Sequence, residues 1–98
     1  MMIPNFYVLS DLTENTTTRF CSFTTPSQQR FDLAITKTSR FYGKKLVTDL
    51  HTGVSAIIGI DDLQEQGYIA HIFNIDSLSA TELSSYLEFL FMTEENEV

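Results

Sequence analysis

The sequence predicts an α+β fold, in which a four-stranded antiparallel β-meander over about residues 16–60 is packed on one face by a C-terminal amphipathic helix. Two observations predict it: the central part of the chain alternates apolar and polar residues, and the last third changes to helical spacing. One or two short helices are expected between these parts. The length of 98 residues fits one domain, 1–98, with residues 1–15 loosely ordered and 93–98 an acidic disordered tail.

The first two strands are predicted from residue type and from alternation. The run "TTTRFCSFT", residues 16–24, is rich in β-branched and aromatic residues. The run "RFDLAITK", residues 30–37, alternates, so that Phe31, Leu33 and Ile35 point one way and the polar residues the other. One face of the sheet is therefore expected to be core and the other largely solvated.

The third and fourth strands are predicted around a tight turn. In residues 44–50 we expect Val47, together with Ala34 of the preceding strand, on the solvent face. Gly53 suits the left-handed conformation of a short hairpin loop. The fourth strand, residues 54–60, reads "VSAIIGI" and is nearly all apolar, so it is expected to be the most buried.

Two short segments after the sheet are predicted from capping signals. Asp61 and Gln64 have the spacing of a capping box, and Gly67 fits the position that ends such a helix. Residues 68–73, "YIAHIF", suit a strand by residue type, but their apolar side chains fall on one helical face. The spacing favours a short helix there.

The C-terminal helix is predicted from an apolar stripe at i, i+3, i+4, i+7 and i+8. The stripe consists of Leu83, Tyr86, Leu87, Leu90 and Phe91. Ser79 and Glu82 form a capping box at its start. The stripe must be buried against the apolar face of the sheet, so Leu87 is expected to face Ile35 or Ile57.

The charge is distributed unevenly along the chain. The net charge is −7, yet residues 1–48 hold all six Lys and Arg against three acids, and residues 49–98 hold ten acids and no Lys or Arg. The acidic total argues against sequence-independent nucleic-acid binding, which depends on neutralising phosphates. The asymmetry favours attraction between the two halves, within one chain or between two subunits.

The chain has the features of a cytoplasmic protein. No apolar run approaches the roughly 18 residues of a membrane span, and the N-terminus lacks the basic start and cleavage site of a signal peptide. A single cysteine, Cys21, forms no internal disulfide. We therefore expect a cytoplasmic location and no contact with membranes.

Several short motifs resemble those of a known family. The motifs are Arg30-Phe31-Asp32, Arg40-Phe41, Thr52-Gly53, Asp61-Asp62-Leu63 and Gly67-Tyr68. Over about residues 19–91 the chain is similar to a small family of intracellular proteins from Firmicutes with about this length. That family has no established activity, so the resemblance implies context and size but no catalytic residues.

Catalytic and metal-binding patterns are weak in this sequence. The Cys and His residues are Cys21, His51 and His71, and they lack the spacing of zinc sites or of known catalytic motifs. Cys21 on a strand is more typical of a small buried residue than of a nucleophile. The Asp61–Asp62 pair at a helix start is typical of capping. We predict no enzyme, no cofactor, no metal and no catalytic residue.

The basic stretch between residues 30 and 45 holds five of the six Lys and Arg. Alternation assigns Phe31 to the core, which leaves a smaller candidate anion site at the connection between the second and third strands. This site consists of Arg40, Tyr42, Lys44 and Lys45. It would bind a phosphate or an acidic protein segment. The alternative is a polar strand edge on which Lys prevents aggregation.

The predicted function is that of a non-catalytic module that acts through protein–protein contacts and self-associates, most simply as a homodimer. The first strand, residues 16–24, carries one charge, Arg19, and is a poorly protected edge. A competing arrangement has residues 1–15 covering that edge within one chain. The alternative function is binding of RNA or a phosphorylated small molecule at the candidate anion site.

Overall fold

The computed structural model describes residues 2–95 and contains a four-stranded antiparallel sheet with three helices. The strands are β1 (Met2–Ile3), β2 (Phe6–Tyr7), β3 (Thr17–Thr24), β4 (Arg30–Lys37), β5 (Lys45–Asp49) and β6 (Ser55–Ile58). The helices are α1 (Ile60–Leu63), α2 (Tyr68–Phe73) and α3 (Ser77–Glu95), and a 3₁₀ turn covers Ser39–Phe41. The predicted α+β class and the four-stranded meander are confirmed.

The strands follow one another across the sheet in the order β3-β4-β5-β6. β3 and β4 pair along their whole length, from Thr17 opposite Lys37 to Thr24 opposite Arg30. The hairpin between β5 and β6 is closed by Asp49, whose side chain accepts hydrogen bonds from the His51 and Thr52 N–H groups. Gly53 has φ +79°, as the prediction of a left-handed turn residue required. β3 and β6 are thus the two edges of the main sheet.

The core lies between one face of the sheet and the helices. In β4 the buried residues are Phe31, Leu33 and Ile35, as the alternation predicted. The α3 residues buried against them are Leu83, Leu87, Leu90 and Phe91. The stripe predicted for the C-terminal helix is therefore confirmed, with Tyr86 half-buried at its margin.

The predicted orientation of β5 is wrong. Val47 is fully buried, and it shares the covered face with Lys45 and Asp49, both of which are also buried. Alternation defines two faces but does not say which is the core, and two charged residues made this set look like the solvent side. The physical reason is that the Lys45 stem packs against the core and Asp49 caps the hairpin.

β6 is not the most buried strand, contrary to the prediction. It lies at an edge with β5 as its neighbour in the sheet, and Ile57 is 39% exposed on the face away from the helices. Ile58 is fully buried in the core, and Ala56 packs against the core on the same face. Ile57 therefore does not face Leu87, because adjacent strand residues point to opposite faces.

The start of α1 differs from the prediction by two residues. Gly59, not Asp61, is the N-cap, and the Asp62 carboxylate accepts a hydrogen bond of 2.8 Å from the Gly59 N–H. Gly67 adopts the left-handed conformation, as expected, but it precedes α2 rather than closing α1, which ends at Leu63. Residues 68–73 form the short helix that their spacing favoured.

The start of α3 also lies earlier than predicted. The Asp76 carboxylate accepts a 2.7 Å hydrogen bond from the Ser79 N–H, so Asp76 caps the helix and Ser79 lies inside its first turn. The predicted capping box of Ser79 and Glu82 is therefore wrong, and the Glu82 carboxylate instead accepts a hydrogen bond from the Ser27 N–H. The helix continues to Glu95, and residues 96–98 of the predicted disordered tail lie outside the described residues.

The N-terminal segment forms a small two-stranded hairpin. β1 and β2 pair around Pro4 and Asn5, and Asn5 has φ +68°, as the second central residue of a type II turn requires. The apolar cluster of residues 6–9 would be expected to pack on the body of the protein, but Phe6, Tyr7 and Leu9 are all mostly exposed.

Candidate functional site

The predicted anion site lies at the connection between β4 and β5. The Thr38 side chain caps the 3₁₀ turn by accepting a hydrogen bond from the Arg40 N–H. Tyr42 and Gly43 then take left-handed conformations, with φ of 47° and 81°. These two residues reverse the chain and direct Lys44 and Lys45 back into the sheet, while the Tyr42 side chain stays fully exposed.

Lys44 is engaged by the acidic start of α1. Its Nζ lies 3.0 Å from Asp62 Oδ2 and 3.9 Å from Asp61 Oδ2. The hydrogen bond with Asp62 raises the pKa of Lys44. Burial raises the pKa of Asp62, but the hydrogen bonds from Gly59 and Lys44 outweigh it and leave the pKa lowered. Lys44 therefore joins the β4–β5 connection to α1.

Lys45 points into the covered side of the sheet. Its side chain is buried, and Nζ lies 4.5 Å from the centroid of the Phe91 ring, which is a cation–π contact. The four side chains of the candidate anion site therefore do not converge on one point, because Lys44 is paired with Asp62 and Lys45 packs over α3. Arg40 and Tyr42 remain on the surface, and an anion site there stays a prediction.

Glu14 fixes the start of the sheet against the same connection. Its carboxylate accepts hydrogen bonds from the hydroxyls of Thr38 and of Ser39, the latter at 2.8 Å. These bonds, with a smaller contribution from Arg40, lower the pKa of Glu14. The only exposed guanidinium of the predicted site thus lies in the field of a carboxylate, which reduces its attraction for a second anion.

A polar cluster that the sequence analysis missed lies on the open face, which is the face of the sheet away from the helices. Asp32 is at its centre: its carboxylate accepts hydrogen bonds from Arg30 Nε at 3.0 Å, from the Ser22 hydroxyl and from His51 Nε2. The Arg30 and Ser22 bonds, followed by the His51 bond, hold the pKa of Asp32 well below its usual range. Cross-strand register brings Ser22 to Asp32, a pairing that alternation alone does not specify.

This cluster lacks the arrangement of a nucleophile and its base. The Asp32 carboxylate lies between Ser22 and His51, so the imidazole does not accept the serine proton. Cys21 is buried on the opposite face of the sheet. There it neighbours Tyr86, whose pKa is raised by burial and then by Cys21. Cys21 and His51 therefore lie on opposite faces of the sheet.

Residues 2–95 contain no group of three or more His, Cys, Asp or Glu side chains arranged to hold a metal ion. Within that same range no helix combines the length and apolar character needed to cross a membrane. A groove of about 600 Å³ lies between the α1–α2 connection and α3. Glu65 and Glu88 are among its lining residues, together with the apolar Leu63 and Ile69, so it does not suit an anionic ligand.

The open face together with the β3 edge forms an exposed surface of the sheet. Hydroxyl pairs cross the strands there, Thr18 with Thr36 at 2.8 Å and Thr48 with Ser55 at 2.6 Å. Phe20, in the middle of β3, is 74% exposed. A surface of paired hydroxyls and an exposed ring has few charges to desolvate, which suits contact with another protein.

The comparisons with known proteins agree with the resemblance seen in the motifs. Residues 9–89 match the family model described as SAV0927-like, whereas no curated protein matches the chain. The match covers most of the chain, from the end of the N-terminal hairpin to the last turns of α3. The family is small and has no known catalytic role, and its restriction to Firmicutes stays a prediction. The chain therefore belongs to the SAV0927-like family.

Proposed function

We propose that this protein is a non-catalytic cytoplasmic module that acts through protein–protein contacts and self-associates. The observation that carries the proposal is the asymmetry of the sheet. One face is covered by the three helices, while the open face and the β3 edge present exposed or half-buried side chains along their length. Natural proteins cover or charge such surfaces unless another chain contacts them.

The chemistry of this surface supports a protein partner rather than a small ligand. Phe20 is aromatic and exposed, and the hydroxyl pairs on the same face of the sheet are already hydrogen-bonded to one another. On the open face, Arg30, Asp32 and His51 lie together at one end and neutralise each other in part. A second protein surface would bury the ring without leaving an unpaired charge.

Binding of RNA or a phosphorylated small molecule has less support. It depended on four side chains acting together, and Lys44 is paired with Asp62 while Lys45 is buried over Phe91. Arg40 and Tyr42 give one cation and one ring, which is a small platform for a nucleic acid. Binding of an acidic protein segment at Arg40 has little support for the same reason, because Lys44 and Lys45 are engaged elsewhere.

Sedimentation velocity over a range of concentrations tests the proposal. The chain has a mass of 11.2 kDa, and we expect a species of twice that mass to increase with protein concentration. The midpoint temperature of thermal unfolding should also rise with protein concentration, because a contact made only by the folded state stabilises that state by mass action. A monomer mass at every concentration would remove self-association from the proposal.

A further inference from the structure

We infer that two copies of this chain pair through β3, antiparallel, about a twofold axis at Phe20, and so form one continuous eight-stranded sheet. This inference rests on the proposed function, since it specifies which surface makes the self-contact. The partner is a second copy of the chain, because a strand paired with itself gives the closed, self-complementary contact typical of twofold dimers.

β3 has the properties of an edge strand that can pair with a strand of another chain. It lies at the end of the strand order, and its register with β4 is unbroken from Thr17 to Thr24. Those eight residues contain one charge, Arg19, and no proline. Its outward N–H and C=O groups therefore form a regular template without the bulges, prolines or repeated charges that normally block pairing.

The other edge is less suitable for pairing. β6 has four residues, Ser55–Ile58, and Gly59 directly after it begins the cap of α1. Asp62 and Lys44 meet at that point, 3.0 Å apart. A second chain along β6 would gain a short ladder before it met the α1 segment, whereas β3 offers twice as many residues.

The pleat of the sheet restricts the register of a β3 pair. Residues directly opposite each other must point to the same face, so the axis passes through a residue and not between two residues. An axis at Arg19 would place two guanidinium groups opposite each other, which is unfavourable. An axis at Cys21 would leave Phe20 opposite Ser22. An axis at Phe20 pairs the two exposed rings, and aromatic cross-strand pairs are among the stabilising ones.

The helical side agrees with this arrangement. A twofold axis perpendicular to the sheet leaves both helical layers on the same side. Tyr86 of α3 stacks on Phe23 of β3, with ring centroids 3.7 Å apart, so this part of α3 lies over β3. The exposed Phe20 ring projects from the other face of the same strand, so pairing of the two rings does not disturb the contact between α3 and β3.

Disulfide trapping tests the register directly. In a Cys21→Ala background, Phe20→Cys places two thiols at the axis, where opposite Cα atoms are about 4.5–5.5 Å apart and within the range that a disulfide spans. We expect Phe20→Cys to form a covalent dimer under mild oxidation. Thr18→Cys is the matched control, because Thr18 would lie opposite Ser22 of the partner subunit and about 13 Å from its own counterpart. The Thr18→Cys, Ser22→Cys double variant should cross-link again.

The outcomes separate the register from the proposed function. A dimer by sedimentation with no cross-link through Phe20→Cys would overturn the Phe20 axis while leaving self-association intact. Cross-linking of the unmodified chain through Cys21 would place the axis there instead. No dimer and no cross-link would remove both.

A second variant tests the β3 edge without any new cysteine. Phe20→Lys would oppose two ammonium groups at the axis, and we expect it to weaken dimerisation roughly tenfold or more. Ile57→Lys makes the same kind of change on β6, and we expect it to leave dimerisation unchanged. The reverse result, with Ile57→Lys disrupting the dimer and Phe20→Lys having no effect, would move the contact to the other edge.

Discussion

The two faces of the sheet are built from the same alternating strands but hold the chain together in different ways. The covered face buries apolar side chains from β3, β4, β5 and β6 against the helices. The open face instead pairs hydroxyls across strands and concentrates charge around Asp32. Burial of apolar side chains thus stabilises the covered face. The polar groups of the open face are hydrogen-bonded to one another, and that face remains exposed.

The largest expected effect lies on the covered face. Leu87 is fully buried in α3, and Leu87→Ala should lower the free energy of unfolding by about 2–5 kcal/mol, because it removes packed methyl groups and leaves a cavity. Leu9 is 98% exposed, so Leu9→Ala is the matched control and should change the free energy by less than about 0.5 kcal/mol. Urea titration of both variants measures the difference, and equal midpoints would show that α3 is not docked.

The same contrast shows what the sequence could predict. Helical spacing in α3 and alternation in β4 identified Leu87 and Ile35 as core, because both patterns repeat over several residues. The orientation of β5 could not be obtained in this way, since Lys45 and Asp49 are buried for reasons outside the strand, namely the Phe91 ring and the hairpin turn. A period of two carries no information on which face is covered.

The candidate site was less predictable than the fold. Arg40 and Lys45 are close in sequence, but a reversal at Tyr42 and Gly43 separates their side chains. The Asp32 cluster depends on a cross-strand pairing and on a histidine from another hairpin. Long-range register decides both, and short spacing along the chain does not reveal it. The composition of β3, in contrast, already identified it as an unprotected strand.

A pair of isosteric changes in β5 compares the two faces within one strand. Val47→Thr introduces a hydroxyl into the fully buried position and should cost about 1–3 kcal/mol. Thr48→Val, one residue later, removes a hydroxyl that bonds Ser55 on the open face, and we expect a smaller cost. Equal costs measured by chemical denaturation would contradict the assignment of covered and open faces.

Lys45 tests whether a charged residue contributes to the covered face. Lys45→Ala removes both the ammonium over Phe91 and the buried stem, and it should cost about 0.5–3 kcal/mol. Lys45→Met keeps most of the stem, so its cost should be smaller. Lys37, the exposed residue paired with Lys45 in the sheet, is the control. A Lys45→Ala variant as stable as Lys37→Ala would show that Lys45 is dispensable for packing.

Acid should destabilise the chain through its hydrogen-bonded carboxylates. The pKa values of Glu14, Asp32, Asp62, Asp76 and Glu82 are all lowered in the folded state. Their contribution is therefore complete above the unfolded-state values of about 4 and is lost as the pH falls through the folded values. Unfolding measured from pH 7 downward should show a plateau and then a decline beginning at about pH 5.

Asp76 provides one part of that decline, and it can be tested by a single substitution. Its carboxylate caps α3, and the hydrogen bond from the Ser79 N–H lowers its pKa. Asp76→Asn keeps a capping side chain but removes the titration, so it should preserve stability at neutral pH and flatten the acid decline slightly. An unchanged acid slope would show that Asp76 does not contribute to it.

Amide hydrogen exchange at low and high protein concentration most directly tests whether the side of the sheet at β3 contacts a second copy. The outward N–H groups of β3, residues 17–24, should exchange more slowly at high concentration, because pairing with another chain satisfies them. β6 provides the internal comparison, since it is also an edge and should exchange at the same rate at both concentrations. Exchange in β3 that does not change with concentration, or slowing in β6 instead, would contradict the account.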